Sequence, residues 1–189
     1  MSIATAIGLA LSPVLALQSV TLVDGPKPDA NGLAAEYGSG VCRISVFGKD
    51  ADGEKIRAEF SRRLRDGNLS VSLYGPFMQQ FSDADPEENY SVTVAFDTGR
   101  SAPSRSGGYD VGGFSESVWG GWGPGEASDA TYAALRGASS FTVSMDDYTY
   151  GPFTWGGPGT GTGAVWAALD DCEALGARLA RKVDLEKIL

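Results

Sequence analysis

The chain contains no histidine at all. That absence excludes Ser-His-Asp and Cys-His nucleophilic catalysis, both of which need an imidazole base. It also argues against a catalytic zinc centre, where histidine is the usual ligand. There is no G-x-x-x-x-G-K-[ST] phosphate loop and no G-x-G-x-x-G opening a helix after a strand. The glycines of residues 156–163 precede a helical pattern, but no lysine follows them, so they read as a turn. Positive charge is scarce: 15 Lys and Arg face 24 Asp and Glu, for a net charge of −9. A surplus of that sign opposes attraction to nucleic acid or anionic lipid. The basic clusters at Lys55–Arg65 and Arg178–Lys187 are interleaved with acids and read as solvated faces. These absences leave no catalytic residue, metal site or cofactor to expect.

Cysteine is also scarce, with only Cys42 and Cys172 in 189 residues. The two bracket most of the chain behind its apolar start. Neither belongs to a C-x-x-C pair, and no histidine is present to activate a thiol. In an exported chain, two cysteines are most simply one disulfide. A bridge closing so long a loop is worth about 4–5 kcal/mol by the loop-entropy argument. The alternative is a pair of buried free thiols.

The first charged side chain is Asp24. Ile3–Leu11 forms a short apolar core, Pro13 interrupts it, and Val14-Leu15-Ala16 places small residues at −3 and −1 of a cleavage site after Ala16. That is the layout of a secretory signal peptide, although no Lys or Arg precedes the apolar core. An uncleaved membrane anchor is the competing reading, and a buried structural segment is a third. Pro13 and the missing basic flanks weigh against the anchor. The expected organisation is a signal peptide over 1–16, a loose entry segment over 17–40, and a single domain over 41–189. The expected location is therefore periplasmic or secreted, with membrane contact only if the leader stays uncleaved.

Val41–Phe47 alternates as a strand should. Lys55–Leu64 fits both period two and a helical period. Arg65-Asp66-Gly67-Asn68 is a hairpin turn leading into the clear strand Leu69–Tyr74, which favours strand for both arms. Tyr90–Phe96 reads as a strand, Asp97–Gly108 as a polar loop, Tyr109–Trp119 as a strand and Gly120–Gly125 as a turn. Glu126–Arg136 predicts a short helix ending at Gly137. Phe141–Met145 and Tyr148–Trp155 predict two more strands around an Asp146-Asp147 turn. From Gly163 onward, Val165, Leu169, Cys172, Leu175, Leu179 and Val183 form one helical stripe. The class is α+β: a mainly antiparallel sheet with a short helix and a C-terminal helix packed on it. Cys172 then faces the sheet that carries Cys42.

Several segments occur in a recognisable order. A cysteine on an early strand is followed by L-S-V-S-L-Y-G-P-F and Y-S-V-T-V-A-F-D-T-G. T-Y-A-A-L-R-G-A-S-S-F-T-V comes next, and G-A-V-W-A-A-L-D-D-C closes the series. Over roughly Val41–Cys172 this order resembles small exported alphaproteobacterial proteins of unassigned function. It is also distantly similar to the invasion-associated locus B family of periplasmic proteins. The resemblance implies an exported location and a fold type, and it brings no catalytic residue with it.

Two groups of side chains are candidate sites. Asp83, Asp85, Glu87 and Glu88 offer closely spaced oxygen ligands for calcium. Pro86 and the lack of a central glycine make them read as a solvated loop instead. Trp119, Trp122, Tyr148, Tyr150 and Trp155 cluster with Asp146 and Asp147 in the second half of the chain. Flat aromatics beside carboxylates suit a sugar ring, and a carboxylate pair can hydrolyse a glycosidic bond. The plainer reading is that these rings fill the core. The expectation is an exported, non-enzymatic envelope protein with a protein or glycan partner. The alternatives are a carbohydrate-binding module or acid-pair glycosidase, and a structural component of a virion or surface assembly.

Overall fold

The structure is a computed structural model that describes residues 33–38, 40–49, 53–75, 91–112, 115–145, 148–155, 166–167, 169–174 and 176–178. The leader and its cleavage site, the acidic loop at Asp83–Glu88 and the Asp146-Asp147 pair lie outside them.

Among the described residues, ten strands form two antiparallel sheets. The first runs in the order β1 (Leu33–Gly38), β2 (Val41–Lys49), β3 (Lys55–Arg63), β4 (Leu69–Tyr74), β8 (Ser115–Gly123), β7 (Ser106–Gly112). The second runs β10 (Tyr148–Thr154), β9 (Ser140–Met145), β5 (Val92–Phe96), β6 (Ser101–Pro103). Period-two patterning explains the packing. Cys42, Ile44 and Val46 of β2, Ile56, Ala58 and Phe60 of β3, and Leu69, Val71 and Leu73 of β4 all turn to one side and are buried. Val92, Val94 and Phe96 of β5 and Phe141, Val143 and Met145 of β9 do the same in the second sheet. The two apolar faces close on each other. Phe60 meets Phe141 edge-on across the interface, with ring centres 5.2 Å apart. Gly120 of β8 lies so close to β5 that a Cβ there would sit 2.6 Å from the Val92 Cβ.

The α+β class holds, with a refinement. The second sheet, rather than a helix, covers the first. Helix α1 (Glu126–Gly137) and helix α2, with its described residues between 166 and 178, sit at one end of the pair of sheets. That end is where β2 and β4 begin and β3 and β8 finish. Glu126 and Asp129 in the first turn of α1 and Arg136 in its last complement the helix dipole. Ser128 moors α1 to the sheet. Its hydroxyl accepts the Leu69 amide at 2.9 Å and donates to the Gly123 carbonyl, so two strand-end groups are satisfied without water.

The sequence reading needs three corrections. Residues 33–38, expected to be loose, form the edge strand β1 in full register with β2. L-A-A-E-Y-G has little β-propensity, and pairing with a neighbour overrides it. The expected loop Asp97–Gly108 contains β6 and the start of β7. The expected strand Tyr109–Trp119 and turn Gly120–Gly125 are in fact the hairpin of β7 with β8, whose second arm runs on to Gly123. Glycine reads as punctuation in sequence, but Gly108, Gly120 and Gly121 stand in strands where a neighbour approaches closely.

The bridge is formed. Cys42 and Cys172 are bonded with Cα atoms 6.0 Å apart across a sequence separation of 130, and both are buried. Leu169 is buried beside Cys172 on the same helix face, as the stripe predicted. Gly176, one turn on, leaves room for the Leu64 side chain, which a Cβ would strike. Val165, Leu175, Leu179 and Val183 of the stripe are outside the described residues.

Polar contacts hold α2 as well. Arg136 of α1 forks onto Asp170 through Nη1 at 2.5 Å and Nη2 at 3.0 Å. The Tyr132 hydroxyl donates to Glu173 at 2.8 Å, and the Arg62 guanidinium lies 4.1 Å from the centre of the Tyr132 ring. Burial, followed by the Glu173 carboxylate, raises the Tyr132 phenol above its ordinary range. The hydrogen bond from Arg136 lowers Asp170. At the β3–β4 turn, hydrogen bonding to Arg63 and then to the Asn68 amide holds Asp66 at about 2. These carboxyls are more acidic folded than unfolded. Their stabilisation is therefore complete above the ordinary carboxylate range and disappears as pH falls through the folded value. The urea midpoint should be flat above about pH 4 and fall between about pH 4 and 2. The fall should be shallower in Asp66→Asn, and modest throughout because the pair is solvent-screened. Superimposable pH profiles for the two proteins would refute the assignment to Asp66.

Candidate functional face

The aromatic cluster expected from sequence is divided between the interior and the surface. Trp122 and Trp155 are 1% and 3% exposed, and Tyr150 is buried too. The Trp155 ring packs on Phe60, Phe141 and Trp166. The indole nitrogens of Trp122 and Trp155 are buried with no hydrogen-bond partner, a cost that the burial of the large apolar rings offsets. These three side chains belong to the core. Tyr148, at 48% exposed, is on β10 of the other sheet. Trp119 stays at the surface. It lies three positions before Trp122 on the same strand, so the pleat sends the two indoles to opposite faces.

Trp119 belongs to the outer face of the six-stranded sheet, the side turned away from the second sheet. Its indole rests on Gly108 of β7, where a Cβ would lie 3.2–3.3 Å from Nε1, Cε2 and Cζ2. A glycine there lets the ring lie against the sheet. The indole is only half-buried. Strand registry builds the rest of the face around it. Ser45, Glu59, Ser72 and Trp119 stand in one row across β2, β3, β4 and β8. Phe47, Arg57 and Tyr74 stand in the next row. Tyr74 is thus the diagonal neighbour of Trp119, with about 7–8 Å between such positions.

Two cations of this face sit over aromatic rings. The Arg57 guanidinium lies 4.0 Å from the centre of the Tyr74 ring, and the Lys55 ammonium lies 4.6 Å from that of Phe47. Among the described residues neither cation has a carboxylate partner, and Arg57 Nε is buried without a hydrogen bond. Arg43 differs: Glu59 lies 3.6 Å away and also accepts the Ser45 hydroxyl at 3.2 Å. Glu59 is committed to its neighbours, whereas Arg57 sits over the Tyr74 ring without a carboxylate partner among the described residues.

Sequence reading missed Arg57, Tyr74, Lys55 and Phe47. Their outward parity was visible once β2, β3 and β4 were taken as strands. The registry that seats Arg57 on Tyr74 was not, because nothing in either strand alone specifies it. Among the described residues no group of three or more acidic or cysteine side chains is placed to hold a metal ion, and no helix is long and apolar enough to cross a membrane. No protein-family model matches the chain, and comparison with curated proteins and with solved structures finds no match.

Proposed function

We propose that this is an exported, non-enzymatic protein of the cell envelope, and that it works by binding through the outer face of its six-stranded sheet. The observation that carries this reading is the uncompensated Arg57 stacked on Tyr74, one diagonal step from a half-buried Trp119. Arg, Tyr and Trp are the side chains that most often dominate recognition surfaces, because each offers a large rigid area with a polar edge. Export is supported by the long-range disulfide, since such bonds persist in oxidising compartments. The apolar leader and the resemblance to exported proteins point the same way. The non-enzymatic reading is supported by the lack of histidine and by the fact that Glu59, the described carboxylate nearest Trp119 in its row, is tied to Arg43 and Ser45.

The test is fractionation of the native host. The protein should be recovered outside the cytoplasm with an N-terminus near Leu17. A double Arg57→Ala, Trp119→Ala variant should be exported equally well but retained less in the envelope. Cytoplasmic protein beginning at Met1 would refute export. Undiminished retention of the variant would refute the role of this face.

A further inference from the structure

The proposed binding face has a charge pattern that identifies its ligand class. This inference rests on the proposal that the outer face binds. We infer that the face binds an acidic polysaccharide, with a sugar ring on Trp119 and a uronate carboxylate on Arg57.

A guanidinium often sits with a carboxylate, and here two arginines at the end of β3 and one on α1 do so: Arg63 pairs with Asp66, Arg62 with Asp129 and Arg136 with Asp170. Arg57 instead lies over the Tyr74 ring, with no carboxylate partner among the described residues and a buried, unpaired Nε. The Nε is buried and out of a ligand's reach, which leaves the Nη groups to meet an acceptor. A guanidinium held over a ring keeps N–H donors that can meet a planar carboxylate in two parallel hydrogen bonds. Lys55, on the Phe47 ring, reinforces the positive end of the face.

The rest of the face suits a sugar better than a peptide. Ser72 stands beside Trp119, and Ser61 and Ser70 are paired in the neighbouring row. These short hydroxyls can donate and accept, as sugar hydroxyls do. They also leave a low floor next to the indole. Gly108 holds that indole down against the sheet, as a stacking platform requires. The diagonal step from Trp119 to Tyr74, about 7–8 Å, lets the two contacts fall on adjoining parts of one chain of sugars.

The overall charge of −9 opposes long-range attraction to any polyanion, but not contact at short range. At physiological salt, exposed charges more than about 8 Å away are largely screened, so the local cations govern contact.

The experiment uses the full mature protein and three probes: polygalacturonate, dextran as a neutral glycan, and polyglutamate as an acidic chain without sugar rings. Polygalacturonate should bind, and binding should weaken as sodium chloride is raised. Dextran and polyglutamate should bind far less. Arg57→Gln should weaken polygalacturonate binding by about tenfold to a hundredfold, the loss of a charge-assisted pair. Trp119→Ala should weaken it too. Arg100→Gln, at an exposed position between β5 and β6 of the other sheet, removes a charge away from this face and should bind like the parent, with all three variants melting close to it. Dextran bound as tightly as polygalacturonate would overturn the acidic specificity. Polyglutamate bound as tightly would show that an acidic protein is the partner class. Failure to bind polygalacturonate would overturn the inference outright. Envelope retention that still depends on Arg57 and Trp119 would then leave the wider reading of the face standing.

Discussion

Replacing either Cys42 or Cys172 with serine is expected to lower the unfolding free energy by about 4–5 kcal/mol. The bond spans a sequence separation of 130, so breaking it returns a very long loop to the unfolded chain. Single domains of this size are stable by only about 5–15 kcal/mol, so the loss is a large fraction of the whole. The folded state suffers as well. Cys172 anchors α2 to β2, and without the bond the helix is held by Leu169 and by exposed or half-exposed contacts such as Arg136–Asp170. Surface pairs of that kind contribute about 0–1 kcal/mol. Urea unfolding of both single variants and the double variant checks this. The three should agree closely, because each removes the same bond and the second change finds no bond left to break. Reductant should destabilise the parent protein and leave the variants unmoved. Losses that add in the double variant would mean that the cysteines contribute as separate buried thiols.

Phe141→Ala is expected to cost about 3–5 kcal/mol. Phe141 is 2% exposed and stands at the join between the sheets and the helical end. It meets Phe60 edge-on at 5.2 Å, Phe153 stacked at 5.1 Å and Trp155 at 5.1 Å. Truncation removes several aromatic contacts at once and opens a cavity walled by large rings that cannot readily close on it. Phe141→Leu keeps part of the volume and should cost less. Thermal unfolding of the two variants would rank them. A loss below about 1 kcal/mol for Phe141→Ala would mean that the aromatic cluster is not the keystone of the interface.

The pattern of success in reading the sequence follows from what is local and what is not. Leu69–Tyr74 alternates strictly and ends at Gly75-Pro76, so its bounds were legible to the residue. Helix α1 was legible for the same reason, being bounded by Gly125 and Gly137. The cysteine pairing was legible because Cys172 shares a helix face with Leu169, and Cys42 shares a strand face with Ile44 and Val46. The second sheet was not, since the same apolar face can be covered equally well by a helix or by another sheet. Strand β1 was hidden because L-A-A-E-Y-G acquires its form from β2. The functional face was obscured by a similar cause. Counting aromatics gathered Trp119 with Trp122 and Trp155, while the pleat and the fold sent two of the three inward. Arg57 and Tyr74 are 17 positions apart in sequence and meet only through the β3–β4 registry.

The most direct measurement is a thiol count on protein taken from the native host. Cells are treated with a mass-tagged alkylating reagent before lysis, and the purified protein is digested without reductant and analysed by mass spectrometry. The account predicts that the Cys42 and Cys172 peptides are recovered joined to each other and untagged. Folded protein whose two cysteines each carry a tag after mild unfolding, with no joined peptide, would contradict both the closed fold and the export it supports.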